Sequence, residues 1–232
     1  RLRRRKPFWG KSEYRLQGIG YMPVYYKLET QIISMRKTFF LSLALLLSFV
    51  SFSQVNLQSL LKPGAKLVYA VEANEQKYDF IVTIKAITPA LVFDWEMTEP
   101  VNNRGSITHT ATAMLSGNTM FNYFSGGAKT LDDNTLSVWI SRNVFMSLTK
   151  GSRSAMLKMN TNESAQKMSV AGEDPGELHI LVNGEKETVE EFVARGESGD
   201  EVYFSVANSA KFPIILRMKN GFYIGLKEIK TK

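Results

Sequence analysis

The chain has 232 residues, with 29 Lys and Arg against 22 Asp and Glu for a formal net charge of +7, and no cysteine. The missing thiols exclude disulfides, thiolate zinc sites, iron–sulfur clusters, a cysteine nucleophile and acylation of an N-terminal cysteine. The positive excess sits in the first 53 residues: from Gln54 onward 19 basic residues face 20 acidic ones, so the charge footprint of a nucleic-acid partner is missing there.

Residues 1–34 begin with arginine, show no sustained period and carry eight basic residues against Glu13 and Glu29. They read as translated sequence upstream of a start at Met35, the alternative being a basic arm for nucleic acid or acidic lipid. From Met35 the pattern is that of a secretory signal, with Arg36 and Lys37, an apolar run from Thr38 to Val50, and Ser51 and Ser53 ahead of Gln54. That run is shorter than the roughly 20 residues a membrane-spanning helix needs. Residues 35–53 are therefore expected to be cleaved, with an uncleaved anchor as the alternative. Residues 54–232 remain as one exported domain, periplasmic or extracellular, with no membrane span after cleavage.

The exported part is dominated by period 2, which predicts half-buried strands. "KLVYAVE" puts Leu67, Tyr69 and Val71 on one face, and after a turn at Asn74 "YDFIVTIKAI" does the same with Tyr78, Phe80, Val82, Ile84 and Ala86. In "LVFDWEMT", Leu91, Phe93, Trp95 and Met97 oppose Asp94, Glu96 and Thr98, and "SITHTATAML" predicts a fourth strand with Ile107, His109, Ala111, Ala113 and Leu115 on one side. The first three of these runs, joined by short turns, read as an antiparallel meander. "YFSGGAKT" over 123–130 reads as a flexible turn, since it lacks the context of a serine elbow or a phosphate loop. Asp132-Asp133-Asn134 lacks the later residues of a calcium loop and reads as a helix-initiating turn.

Ser141 then caps a short helix from Arg142 to Lys150, with Val144, Phe145 and Leu148 on its buried side and Gly151 as its stop; a longer helix from Thr135 is the alternative. Asn162-Glu163-Ser164 matches the N-glycosylation pattern, which matters only in a eukaryotic secretory host. Asn183-Gly184 and Asn220-Gly221 each lie between strand-like runs and predict type I′ hairpins. "EVYFSV" lies between the two hairpins, and Lys227, Lys230 and Lys232 suit an exposed edge as the last strand. The fold class expected is mainly β: a single antiparallel curved sheet, half-barrel or sandwich with one short helix.

The runs "LKPGAKLVYAVEANEQKYDFIVTI", "VWISRNVFMSLTKG" and "FPIILRMKNGFYIGLKEI" resemble a family of exported bacterial β-rich domains of unknown function, distantly similar to lipoprotein-carrier half-barrels. The resemblance spans about Leu61 to Ile229 and implies a curved antiparallel sheet, with a helix as its closing element, in the envelope of a Gram-negative bacterium. It brings no catalytic residues with it. A long helical lid, which the lipid-carrying relatives have, is not identifiable.

For chemistry the chain offers little. His109 falls on an apolar strand face, where a hydrogen-bonded core residue is the expected role. His179 shares a strand face with Glu177 and Asn183, an incomplete set for a metal, and no metal or other cofactor is expected. Asp94 and Glu96 project from one strand face about 7 Å apart, a spacing that a hydrolase with paired carboxylates would use and that any solvated sheet face also shows. Phe93, Trp95, Phe121, Tyr123, Phe124 and Trp139 cluster in mid-sequence, either as core or as the lining of a cavity for a lipid or other hydrophobic ligand. The expected role is non-enzymatic binding or envelope maintenance, with a hydrophobic small molecule or an envelope protein as partner. A lipid carrier and a carboxylate hydrolase are the alternatives.

Overall fold

The computed structural model describes residues 56–172 and 174–231; the upstream stretch 1–34, the signal-like stretch 35–53, Glu173 and Lys232 lie outside the described residues. Helix α1 (Leu57–Leu60) leads into β1 (Lys66–Ala73), β2 (Gln76–Ala86), β3 (Leu91–Met97) and β4 (Arg104–His109), then α2 (Ala111–Ser116) and the short β5 (Thr119–Met120), β6 (Gly127–Thr130) and β7 (Thr135–Leu136). After α3 (Arg142–Thr149) come β8 (Ser154–Leu157), β9 (Gln166–Val170), β10 (Gly176–Val182), β11 (Glu185–Gly196), β12 (Gly199–Ala207), β13 (Ile215–Asn220) and β14 (Tyr223–Lys230).

The first three period-2 runs become the strands they predict. Leu67, Tyr69 and Val71 of β1, Phe80, Val82 and Ile84 of β2, and Leu91, Phe93 and Trp95 of β3 are all buried on one face. Each such side chain contributes about 1.5–3 kcal/mol on burial. The β1–β2 turn places Asn74 and Glu75 at φ +49° and +65°, and β1 continues on its other edge into β14.

The molecule is mainly β as expected, but it is more than one curved sheet. β10 pairs antiparallel with β11 and also runs parallel to β14, Leu181 opposite Glu228 and Val182 opposite Ile229, so β10 to β14 close into a five-stranded barrel. The meander β1–β4 extends from β14 as a wing, and β9 with β8 extends from β11. Asn183 fastens the closure: its N–H donates to the Ile229 carbonyl at 2.9 Å, and its carboxamide bonds Thr231 N at 2.8 Å and Thr231 Oγ1 at 2.9 Å. Bulges at Val68/Tyr69 and Ser205/Val206 add the bending that closure requires.

Several expectations are corrected. The fourth strand stops at His109, because Thr110 Oγ1 accepts the Ala113 N–H at 3.0 Å and caps α2, leaving Ala113 buried and Leu115 exposed. The last strand is no edge: β14 is flanked by β1 on one side and by β13 and β10 on the other, with Lys227 paired to Asp79 at 2.6 Å and Lys230 to Glu228 at 3.3 Å. Part of "YFSGGAKT" is strand β6, parallel to β4; a Cβ on Gly105 would collide with the Gly127 carbonyl, so the absent side chain permits this approach. Asp132-Asp133-Asn134 is a turn into β7 instead of a helix start, with Asp132 Oδ1 accepting the Asn134 N–H at 3.0 Å. The Thr135 hydroxyl first, then that N–H, hold the Asp132 carboxyl below its usual range. Three helices are described where one was expected; the expected one, α3, starts after Ser141, whose Oγ accepts the Val144 N–H at 3.3 Å. Both Asn-Gly hairpins form, yet only Asn183-Gly184 has two positive φ angles; at the second, Gly221 alone does, so that turn is not type I′.

Two apolar clusters fill the interior. One lies against the wing and includes Phe80, Phe93, Trp95, Trp139 and Leu216. The other gathers Phe145 and Leu148 of α3 with Met159, Met168, Phe204 and Val206. Among the described residues no helix is long and apolar enough to cross a membrane.

Candidate functional site

Where β1 and β2 meet β13 and β14, the sheet leaves a cleft of about 500 Å³, within the usual size range of small-molecule sites. Its floor is apolar: Tyr69 and Val71 of β1, Phe80 of β2, Met97 of β3, Ile215 and Met218 of β13. Tyr69 is fixed there by donating its hydroxyl to the Ile215 carbonyl at 2.9 Å. Burial pushes the hydroxyls of both Tyr69 and Tyr78 above their ordinary range, so both stay neutral. Glu99 is the one charged group among the described residues of the lining.

The rim carries carboxamides drawn from separate turns. Asn74 follows β1, Asn103 precedes β4, Asn122 follows β5, Asn160 follows β8 and Asn220 ends β13. Asn103, Asn122, Asn160 and Asn220 are half-buried. Three of them are anchored through nitrogen: Asn103 Nδ2 to Met97 Sδ at 3.2 Å, Asn122 Nδ2 to the Met159 carbonyl at 2.5 Å, Asn220 Nδ2 to the Glu163 carboxylate at 3.0 Å. Their Oδ1 atoms accept no hydrogen bond from the described residues.

One wall is the segment from Leu136 to Ile140, pinned by backbone bonds. The Leu136 and Val138 carbonyls accept from Phe121 at 2.7 Å and Ile215 at 2.8 Å, and Ile140 donates to Pro213 at 3.1 Å. Val138 takes φ +65° there. A β-branched residue in the left-handed region is a true outlier, holding about 1–3 kcal/mol of backbone strain.

His109 stands behind this wall, fully buried. Its Nε2 accepts the Ser137 backbone N–H at 2.9 Å, which puts the proton of the neutral ring on Nδ1, an atom with no hydrogen-bond partner of normal geometry. Burial, outweighing backbone contacts with Leu91 and Ser137, lowers its pKa to about 4. Because the ring meets Ser137 N and not its hydroxyl, the two do not form a nucleophile–base pair.

The six aromatic residues singled out in the sequence divide between core and cleft. Phe93, Trp95, Phe121 and Trp139 are closed off in the interior, Phe93 stacked on Trp139 at 5.8 Å. Phe124 and Tyr123 line the cleft. Phe124 packs its ring on Phe80 at 4.5 Å and on Trp95 at 5.1 Å, whereas Tyr123 is 75% exposed at the lip. The rim asparagines escaped sequence reasoning, because asparagine at a turn is explained by the turn itself.

The remaining candidates lie elsewhere. Asp94 and Glu96 occupy the face of β3 opposite the one that carries Phe93, Trp95 and Met97; Asp94 pairs with Lys85 at 3.2 Å, and Arg104 stands opposite Glu96 in the ladder. They border a shallow groove with Lys66 and Arg104, away from the cleft. His179 Nδ1 meets Thr188 Oγ1 at 3.0 Å, and Asn183 is spent on Thr231, so with Glu177 they do not make a ligand set. No cluster of three His, Asp or Glu suited to a metal occurs among the described residues. Compared with known proteins, the chain matches no family model, no curated protein and no solved structure.

Proposed function

We propose that the chain is an exported, non-catalytic binding protein whose cleft takes a small, uncharged, amphipathic molecule. The observation that carries this reading is the cleft's make-up: an apolar floor, a rim of half-buried carboxamides, and Glu99 as its one charged group. A filled core would not need such a rim, and a catalytic site would bring ionisable groups together. The strain at Val138 supports it, since unfavourable backbone persists where a site needs its geometry. Export rests on the signal-like pattern from Met35 to Gln54.

The test is native mass spectrometry of the chain expressed from Met35 and purified from the envelope fraction of its own host. The expected mass begins at Gln54 and carries a small-molecule adduct that Ala73→Trp, which fills one end of the cleft, removes without changing the melting temperature. A chain retaining residues 35–53 overturns export. A bare mature chain, or an adduct that Ala73→Trp leaves in place, overturns the cleft as the binding site.

A further inference from the structure

We infer that the molecule held in the cleft is a short neutral saccharide, a conclusion that rests on the cleft being a ligand site. Each anchored carboxamide spends at least one of its two N–H donors on the protein and keeps its acceptor: Asn103, Asn122 and Asn220 hold Nδ2 on Met97, Met159 and Glu163, with Oδ1 unpaired at half-buried positions. Anchoring through nitrogen fixes the plane of each group. The rim therefore presents oriented acceptors, with a remaining N–H on Asn103 and Asn122, and the ligand that satisfies it carries several hydroxyl-type groups spaced around its edge. An acyl chain presents none, and covering these oxygens with it would leave them desolvated and unpaired.

The floor and lip supply the complementary feature. Phe124, Tyr78 and Phe222 are half-buried at the cleft and Tyr123 stands exposed at its lip. Aromatic faces with a polar edge nearby suit a ring that is apolar on its C–H face and hydroxylated around its rim. A saccharide has that division and an acyl chain or a simple polyol has not. The charge selects further: no Lys, Arg or His lines the cleft among the described residues, so an acidic sugar would find no counter-charge, and Glu99 would repel it.

The experiment is a titration of the ¹⁵N-labelled chain from Gln54 with maltotriose, cellotriose and triacetylchitotriose in parallel with monolaurin, an uncharged acyl ester, reading backbone and asparagine side-chain amide shifts. The expected result is binding of at least one trisaccharide with Kd below about 1 mM, moving the Asn103, Asn122 and Asn220 side-chain signals. Asn122→Ala and, separately, Asn103→Ala then weaken it by about tenfold or more, with unchanged spectra away from the cleft. Monolaurin shifting the cleft signals while no trisaccharide does would overturn the saccharide and leave the cleft reading standing. Shifts confined to residues outside the cleft, or no shift with any of the four compounds, would overturn both.

Discussion

Acid should unfold this protein partly through one imidazole. His109 is fully buried, its Nε2 occupied by the Ser137 N–H, with Phe93 at 5.5 Å and Trp139 at 6.5 Å between ring centroids. Protonation would place a second N–H against that donor and a charge among aromatic rings, hence a pKa of about 4 against 6.5 in the unfolded chain. The folded state thus binds this proton less readily, and between those two values the unfolded state holds more protons. Stability from this group is complete above about pH 6.5 and falls as pH drops towards 4. The full difference is about 3 kcal/mol, most of which is lost by pH 4.5. Urea unfolding followed by tryptophan fluorescence at pH 7.5 and pH 4.5 measures it, with His109→Gln as the reference because glutamine offers an acceptor to Ser137 without titrating. Carboxylates titrate alike in both proteins and cancel. The wild type should lose about 2–3 kcal/mol more than the variant; equal losses would refute the argument that His109 is neutral and desolvated in the fold.

Three other expectations follow from packing and backbone geometry. Gly105→Ala drives a methyl into the Gly127 carbonyl and the Trp95 ring, so it should cost about 1–3 kcal/mol in urea unfolding and expose β6 amides to hydrogen exchange; an unchanged midpoint would mean that β6 is not held on β4. Glu75→Gly places glycine at φ +65° in an exposed turn and should add about 0.5–1 kcal/mol, read as a higher melting temperature, with a lower one as the contrary result. Arg217→Met strands the Glu191 carboxylate, whose side chain is 4% exposed, and should cost about 3 kcal/mol or more, most of it recovered in the Arg217→Met, Glu191→Leu double variant. If the two single losses simply add in the double variant, the pair is not coupled.

How much of this was legible in the sequence depended on how local the cause was. β1, β2 and β3 announce themselves because Leu67 to Met97 alternates over whole strands, and α3 does so because Ser141 and three spaced apolar residues act within two turns. β5 and β7 are two residues each, too short to carry any period, and they pair with one another across the intervening β6. Alternation misled at Ala111 to Leu115, where the cap at Thr110 decided for helix and alanines comply with either structure. Barrel closure was hidden because it joins Asn183 to Ile229 and Thr231, and nothing near Asn183 records that second duty. The cleft was half visible: Tyr123 and Phe124 were among the aromatic candidates, but the carboxamide rim is assembled from turns far apart in the chain.

The placement of β14 bears on when this protein can fold. It is the common neighbour of β1, β13 and β10, with Lys66 of the first described strand opposite Lys230 of the last. Pairings of such wide sequence separation carry a large loop-closure cost and make a domain slow to reach its native state. A nascent chain that has not yet released Tyr223 to Lys230 has a wing with no edge to grow from and a barrel with a missing stave. Up to that moment neither the wing nor the barrel can complete its ladder of hydrogen bonds, so the last eight strand residues to be made decide when both halves can lock.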